Sequence, residues 1–190
     1  MCSKAVKWSA PILVAAAVAA AAISAAAAQV VSSDKLVQER QRDMKAMAAA
    51  AKRINDMFKG TSPYDAKAFK AAAESIRAHS GERLSSLFDG SVTAAGSKAS
   101  SIIETERPKF HDLAAELGVY ASALSIAANR NPDVLGPEMR MQGGDAMMGG
   151  PIARKPQATR DVASIPAEHA FHMMLQTCTS CHAKFRLQTE

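Results

Sequence analysis

The chain closes on Cys178-Thr179-Ser180-Cys181-His182, which puts two thiols and an imidazole within about one turn of a helix. Three chemistries use Cys-x-x-Cys. A thioredoxin-type redox pair needs a strand leading into a helix, and no strand pattern precedes this one. A structural zinc site needs a fourth ligand, and the sequence has no second Cys pair; its one other cysteine is Cys2. The third chemistry is a covalent haem anchor. It asks only for two thioether-forming thiols, an adjoining histidine for the iron and an apolar pocket for the macrocycle. We therefore expect one haem c, tethered by Cys178 and Cys181, with His182 as the proximal iron ligand. The eight residues after His182 contain neither Met nor His, so any sixth ligand must come from earlier in the chain.

The elements that must position this motif all read as helices. Val37, Arg40, Met44, Met47, Ala51, Ile54 and Phe58 follow at steps of three and four, the seam of a bundle helix from about Asp34 to Phe58 that Gly60 stops. Arg40 is the residue on that seam that does not suit a core. A second helix is expected with Ser62 as cap and Pro63 in its first turn. Its inner face would be Phe69, Ala73, Ile76, Leu84 and Leu87, with Gly81 as a weak point. A third starts near Lys98, breaks at Pro108, and carries Phe110, Leu113, Leu117, Tyr120 and Leu124 as a stripe up to Asn131-Pro132. Residues 132–164 are rich in Gly, Met and Pro without any period, and read as a long loop. The fourth helix starts around Pro166 and brings Phe171, Met174, Cys178, Cys181, His182 and Phe185 to one face. The fold class is all-α, a four-helix up-and-down bundle.

Residues 1–28 read as a leader rather than part of that bundle. Lys4 and Lys7 precede an apolar run that ends Ala26-Ala27-Ala28, the order of a secretory signal cleaved before Gln29. The competing reading is an uncleaved membrane anchor, since Ser9 to Ala28 approaches the length of a bilayer span. Cleavage would leave a haem domain of residues 29–190 in an oxidising compartment, the periplasm, where a Cys pair is a disulfide, a redox pair or a tether. A formal charge of +5, two units of which lie in the leader, gives no argument for nucleic acid.

CTSCHAKFR at the C-terminus, ERQRDMKAM in the first helix and KGTSPYDAKAFKAAAESI at the join of the first two helices resemble the class II cytochromes c. These are the cytochrome c prime family, and the likeness is greatest to its low-spin six-coordinate members. The 132–164 loop is longer than that family usually carries. The resemblance implies a haem on the last helix that faces the first. It places Arg40 beside a haem propionate, a paired charge rather than a stray one on the seam; the plainer alternative is an arginine snorkelling to the surface. It places Arg186 near the proximal side, where its plainer reading is a solvated cation at a helix C-terminus.

Met44 matches the position that faces the distal side of the iron. In low-spin members a methionine there coordinates, whereas in others the residue crowds an open iron. The resemblance thus implies a non-enzymatic electron carrier with His/Met ligation, or, as the alternative, a five-coordinate haem protein binding NO or CO. Met47, one turn further on, is the competing sulfur ligand and reads as core. His79, His111, His169 and His172 read as surface or loop histidines. Met139, Met141, Met147 and Met148 are weighed as a copper(I) site against a loop that merely contains methionine. The expected partners are a redox protein and, through the first two helices, a second copy of the chain.

Overall fold

The computed structural model describes residues 11–141 and 162–188, with side chains from Ser33 onward. Cys2, Met147 and Met148 lie outside the described residues. The long elements are α1 (Pro11–Phe58), α2 (Ala66–Ala78), α5 (Arg107–Arg130) and α6 (Ala167–Phe185). Two short helices lie between them, α3 (Gly81–Ser86) and α4 (Ile102–Thr105). Among the described residues there is no strand, and the four long helices form the expected bundle. No helix of the described residues is long and apolar enough to cross a membrane.

α1, α2 and α5 bury the faces their spacing predicts; on α6 Phe171, Met174 and Phe185 are buried, Cys178 and Cys181 are half-buried and His182 is exposed. Val37, Arg40, Met47, Ile54 and Phe58 of α1 are buried, and Met44 and Ala51 are half-buried. α2 contributes Phe69, Ala73 and Ile76, and α5 contributes Phe110, Leu113, Leu117, Tyr120 and Leu124. Burying each large apolar side chain stabilises the fold by about 1.5–3 kcal/mol, so these stripes fix which face of each helix points inward.

Several boundaries differ from the sequence reading. α1 does not start near Asp34 but runs back to Pro11, so Gln29 falls inside it. Ser62 is not the cap of α2. Asp65, in extended conformation, accepts from Ala68 N at 2.8 Å through its carboxylate, a cap worth about 1 kcal/mol. The weak point at Gly81 is a full break: its φ of +62° is left-handed, where glycine alone is unstrained, and it separates α2 from α3. Pro108 breaks the third segment as expected, and sits in the first turn of α5, where its missing N–H costs nothing. The described start of the 132–164 loop is ordered by local structure that its composition does not suggest. Pro137–Met139 forms a 3₁₀ turn that plants Met139, 1% exposed, in the core, and Arg140 donates to Phe58 O at 2.6 Å.

The bundle is closed at one end and open at the other. The Phe58 and Phe171 rings meet with centroids 5.7 Å apart, where the end of α1 touches the start of α6. Towards Arg40 on α1 and Cys181 on α6 a cavity lies between the two helices.

Candidate functional site

The rotation of α1 is set by a buried carboxylate. Asp43 is 1% exposed and accepts from Arg83 Nη2 at 3.0 Å. His79 Nδ1 lies 3.2 Å from the same oxygen without making a hydrogen bond to it. With Asp43 locked against the α2–α3 break, Arg40 and Met44, a turn apart, project to the cavity side.

Arg40 is 4% exposed, which excludes the snorkelling alternative. Its Nη1 donates to Ser91 Oγ at 2.7 Å and Leu87 O at 3.3 Å; its Nη2 donates to Ser97 Oγ at 2.6 Å and Ser91 O at 3.0 Å. The guanidinium also stacks 4.6 Å from the Phe88 ring centroid. Every one of these partners is neutral. Burial lowers the Arg40 pKa, as it must for a cation held without a counter-ion. A buried arginine with oriented acceptors and no carboxylate is a site that an anion would complete.

Beyond Arg40 the cavity, about 300 Å³, is walled by an aromatic row. Phe88 and Phe110 meet edge to face at 4.8 Å, and Phe110 and Phe185 at 5.3 Å. Met44 and Cys181 line the same space, as do Ile103 and His182. Met44 packs against both hydrophobic clusters of the bundle; Cys178 packs against one and Cys181 against the other. The methionine and the Cys-x-x-Cys pair thus face the seam between the two clusters from opposite helices.

The end of α6 is tied down by main-chain pairing. Ser100 N donates to Phe185 O, and Leu187 N to Lys98 O, each at 2.9 Å, around an antiparallel bridge between Ala99 and Arg186. Arg186 is exposed at the cavity mouth, together with Lys45 and Lys98.

The chemistry of the motif follows from this setting. Both cysteines lie near the C-terminal end of α6, away from the helix N-terminus that activates thioredoxin-type thiols. Burial pushes both thiols up, Cys181 to about 11, with the charge of Cys178 as its second cause. Such thiols are poor nucleophiles near neutrality, against a redox pair. No cluster of three or more metal-ligating side chains occurs among the described residues, against zinc. The His182 pKa is lowered, first by desolvation and then by the charge of Arg186, the direction that favours the neutral imidazole an iron ligand needs. An apolar slot, two thiols and a histidine on one wall, a thioether opposite and an uncompensated cation at depth all fit a haem with its propionates.

All six residues singled out in the sequence lie at this site. Five of them line the cavity, and Cys178 sits one turn before Cys181 on the same helix. Sequence reasoning missed Ser91 and Ser97, which hold Arg40, and the mouth lysines Lys45 and Lys98. Lys45 follows Met44 directly on α1, a signal that was available; the serines lie in a stretch without periodicity and gave none.

The Cytochrome C' family description matches residues 35–144, more than half of the chain. Among solved structures, cytochrome c' from Thermochromatium tepidum is similar at 20% identity, with 82% of this chain and 97% of that one covered and a TM-score of 0.58. The Rhodopseudomonas palustris protein gives 24% identity, 82% and 98% coverage and a TM-score of 0.55. A nitric oxide complex of a mutant cytochrome c prime from Alcaligenes xylosoxidans gives 20% identity, 83% and 97% coverage and a TM-score of 0.57. No curated protein matches. At these identities the structures speak for the fold, and the family match speaks for the rest. Proteins of this family carry one covalent haem c and serve in electron transfer or gas binding rather than enzymatic conversion. This chain belongs to the cytochrome c prime family.

Proposed function

We propose that this protein is an exported single-electron carrier, in which His182 and Met44 take the two axial positions of the haem iron. The observation that carries the reading is that Met44 on α1 and His182 on α6 line one cavity from opposite helices. Cys178 and Cys181 hold the macrocycle to α6 through thioethers, and Arg40 neutralises a propionate. Asp43 and the Phe88–Phe110–Phe185 row keep these groups from moving and keep water out. The haem supplies a one-electron couple. With His182 and Met44 both held by the bundle as ligands, a haem bound here would exchange its electron with little rearrangement. The leader directs the chain to the periplasm, where the partner is a redox protein; a homodimer through α1 and α2 accords with the resemblance.

A second reading is favoured by one finding. A structural relative has been solved with nitric oxide, and Met44, half-buried and flexible, suits a lid over an open iron as well as a ligand. The visible spectrum of the reduced protein with and without carbon monoxide separates the two. A sharp low-spin spectrum indifferent to the gas is the expected result. A broad spectrum that changes on adding it would move the protein to gas binding.

A further inference from the structure

We propose that the mouth of the cavity is a docking face for the acidic surface of a redox partner. The inference rests on the electron-carrier reading and supplies the chemistry of the partner.

Three separate elements each bring one exposed cation to this opening: Lys45 from α1, Lys98 from the segment before α4, and Arg186 from the end of α6. No Asp or Glu lines it. None of the three cations meets a carboxylate among the described residues, whereas Lys184, close by on α6, is tied to Glu106. Arg83, Arg107 and Arg140, elsewhere on the bundle, are paired in the same way. The three charges at the mouth therefore stand without an ion-pair partner among the described residues. A haem brings two propionates, and with Arg40 facing one, the three mouth cations outnumber the other.

The apolar part of an interface is present as well. Two of the exposed large hydrophobic side chains, Ile102 and Leu187, are the immediate chain neighbours of the lining residues Ile103 and Arg186, and Leu187 N is bonded to Lys98 O. A few unpaired cations around a small apolar patch is the make-up of a transient electron-transfer contact, in which charge steers the encounter and little area is buried. The weak overall charge of the chain argues that this is a local design rather than general basicity, which favours an acidic protein over nucleic acid.

The test uses the reduced holoprotein in stopped flow against two small oxidants of opposite charge, hexacyanoferrate(III) and tris(phenanthroline)cobalt(III). The hexacyanoferrate rate should fall with added salt and the cobalt rate should rise. In a Lys45→Glu/Lys98→Glu variant the hexacyanoferrate rate at low salt should drop about tenfold or more. The reduced spectrum should stay as in the parent, which shows that the variant is folded and loaded. Independently of turnover, poly-L-glutamate should shift amide resonances around Lys45, Lys98 and Arg186 in the parent and not in the variant. Rates for both oxidants that ignore salt and substitution would overturn the proposal. So would equal protection of the mouth by duplex DNA or by anionic lipid vesicles at physiological salt. A carbon monoxide response that accompanies an intact anion preference would defeat His/Met ligation and leave the docking face standing, so the two failures are distinguishable.

Discussion

Arg40 and Ser97, 57 positions apart in the chain, are joined by Nη2 donating to the serine hydroxyl at 2.6 Å. The residues that follow Ser97 pair with the end of α6, through Ser100 N to Phe185 O and Leu187 N to Lys98 O. The segment 97–100 is therefore a bridge between the helix carrying Met44 and the helix carrying His182. It spans the open end of the bundle, and Arg40 is its anchor on α1.

Replacing that anchor should change the redox properties before it unfolds the bundle. Arg40→Ala removes a cation beside the haem, so the oxidised state, the more positive one, becomes easier to reach. The reduction potential should fall, on the order of tens of millivolts. Arg40→Lys keeps the charge but lacks the flat fork that reaches Ser91 and Ser97 together, so its potential should move less while the urea midpoint drops. Spectroelectrochemistry and urea titration check both. Unchanged potentials in both variants would remove Arg40 from the propionate.

Gly118 on α5 packs against Ser80 at the α2–α3 break. A Cβ there would lie 2.8 Å from Ser80 Oγ, which itself donates to Arg77 O at 2.8 Å. Gly118→Ala should therefore destabilise the protein, although alanine is the better helix former by about 1 kcal/mol. In a Ser80→Ala background the obstructing oxygen is gone and the next atom is 3.8 Å away, so the same change should stabilise. Urea midpoints of the four proteins give the sign directly.

The two tyrosines should resist ionisation in the folded protein. Burial raises Tyr120, then the charge and hydrogen bond of Glu116, to about 12; burial and then Asp65 raise Tyr64. An unfolded phenol loses its proton at about 10. Above that pH the folded state holds more protons than the unfolded one, so stability falls as pH rises past about 10 and is unaffected from this source below it. Tyrosinate absorbance should appear late, and Tyr120→Phe should flatten the alkaline loss of stability. Ionisation of both phenols at about 10 in the native protein would contradict the burial account.

The sequence carried the helices and the chemistry well, because both are local. The three- and four-residue steps from Val37 to Phe58 and from Phe110 to Leu124 specify buried faces directly, and Cys-x-x-Cys-His carries its ligands within five positions. The cap of α2 is ambiguous in the sequence because Ser62-Pro63 and Asp65 both offer starts, and the carboxylate of Asp65 is the one that reaches Ala68 N. Met139 reads as loop in the sequence because one 3₁₀ turn has no period to detect. The cradle of Arg40 was not legible at all. Two of its four acceptors are backbone carbonyls, of Leu87 and Ser91, whose positions depend on the path of the chain rather than on residue type.

The most direct test of the central claim is the proton NMR spectrum of the reduced protein. A methionine sulfur on the iron holds its methyl over the haem, where the ring current moves that line far upfield. The account predicts such a three-proton line, assigned to Met44 by its loss in Met44→Ala. A reduced protein with no upfield methyl and the broad, shifted lines of high-spin iron would contradict it and leave His182 as the only axial ligand from the chain.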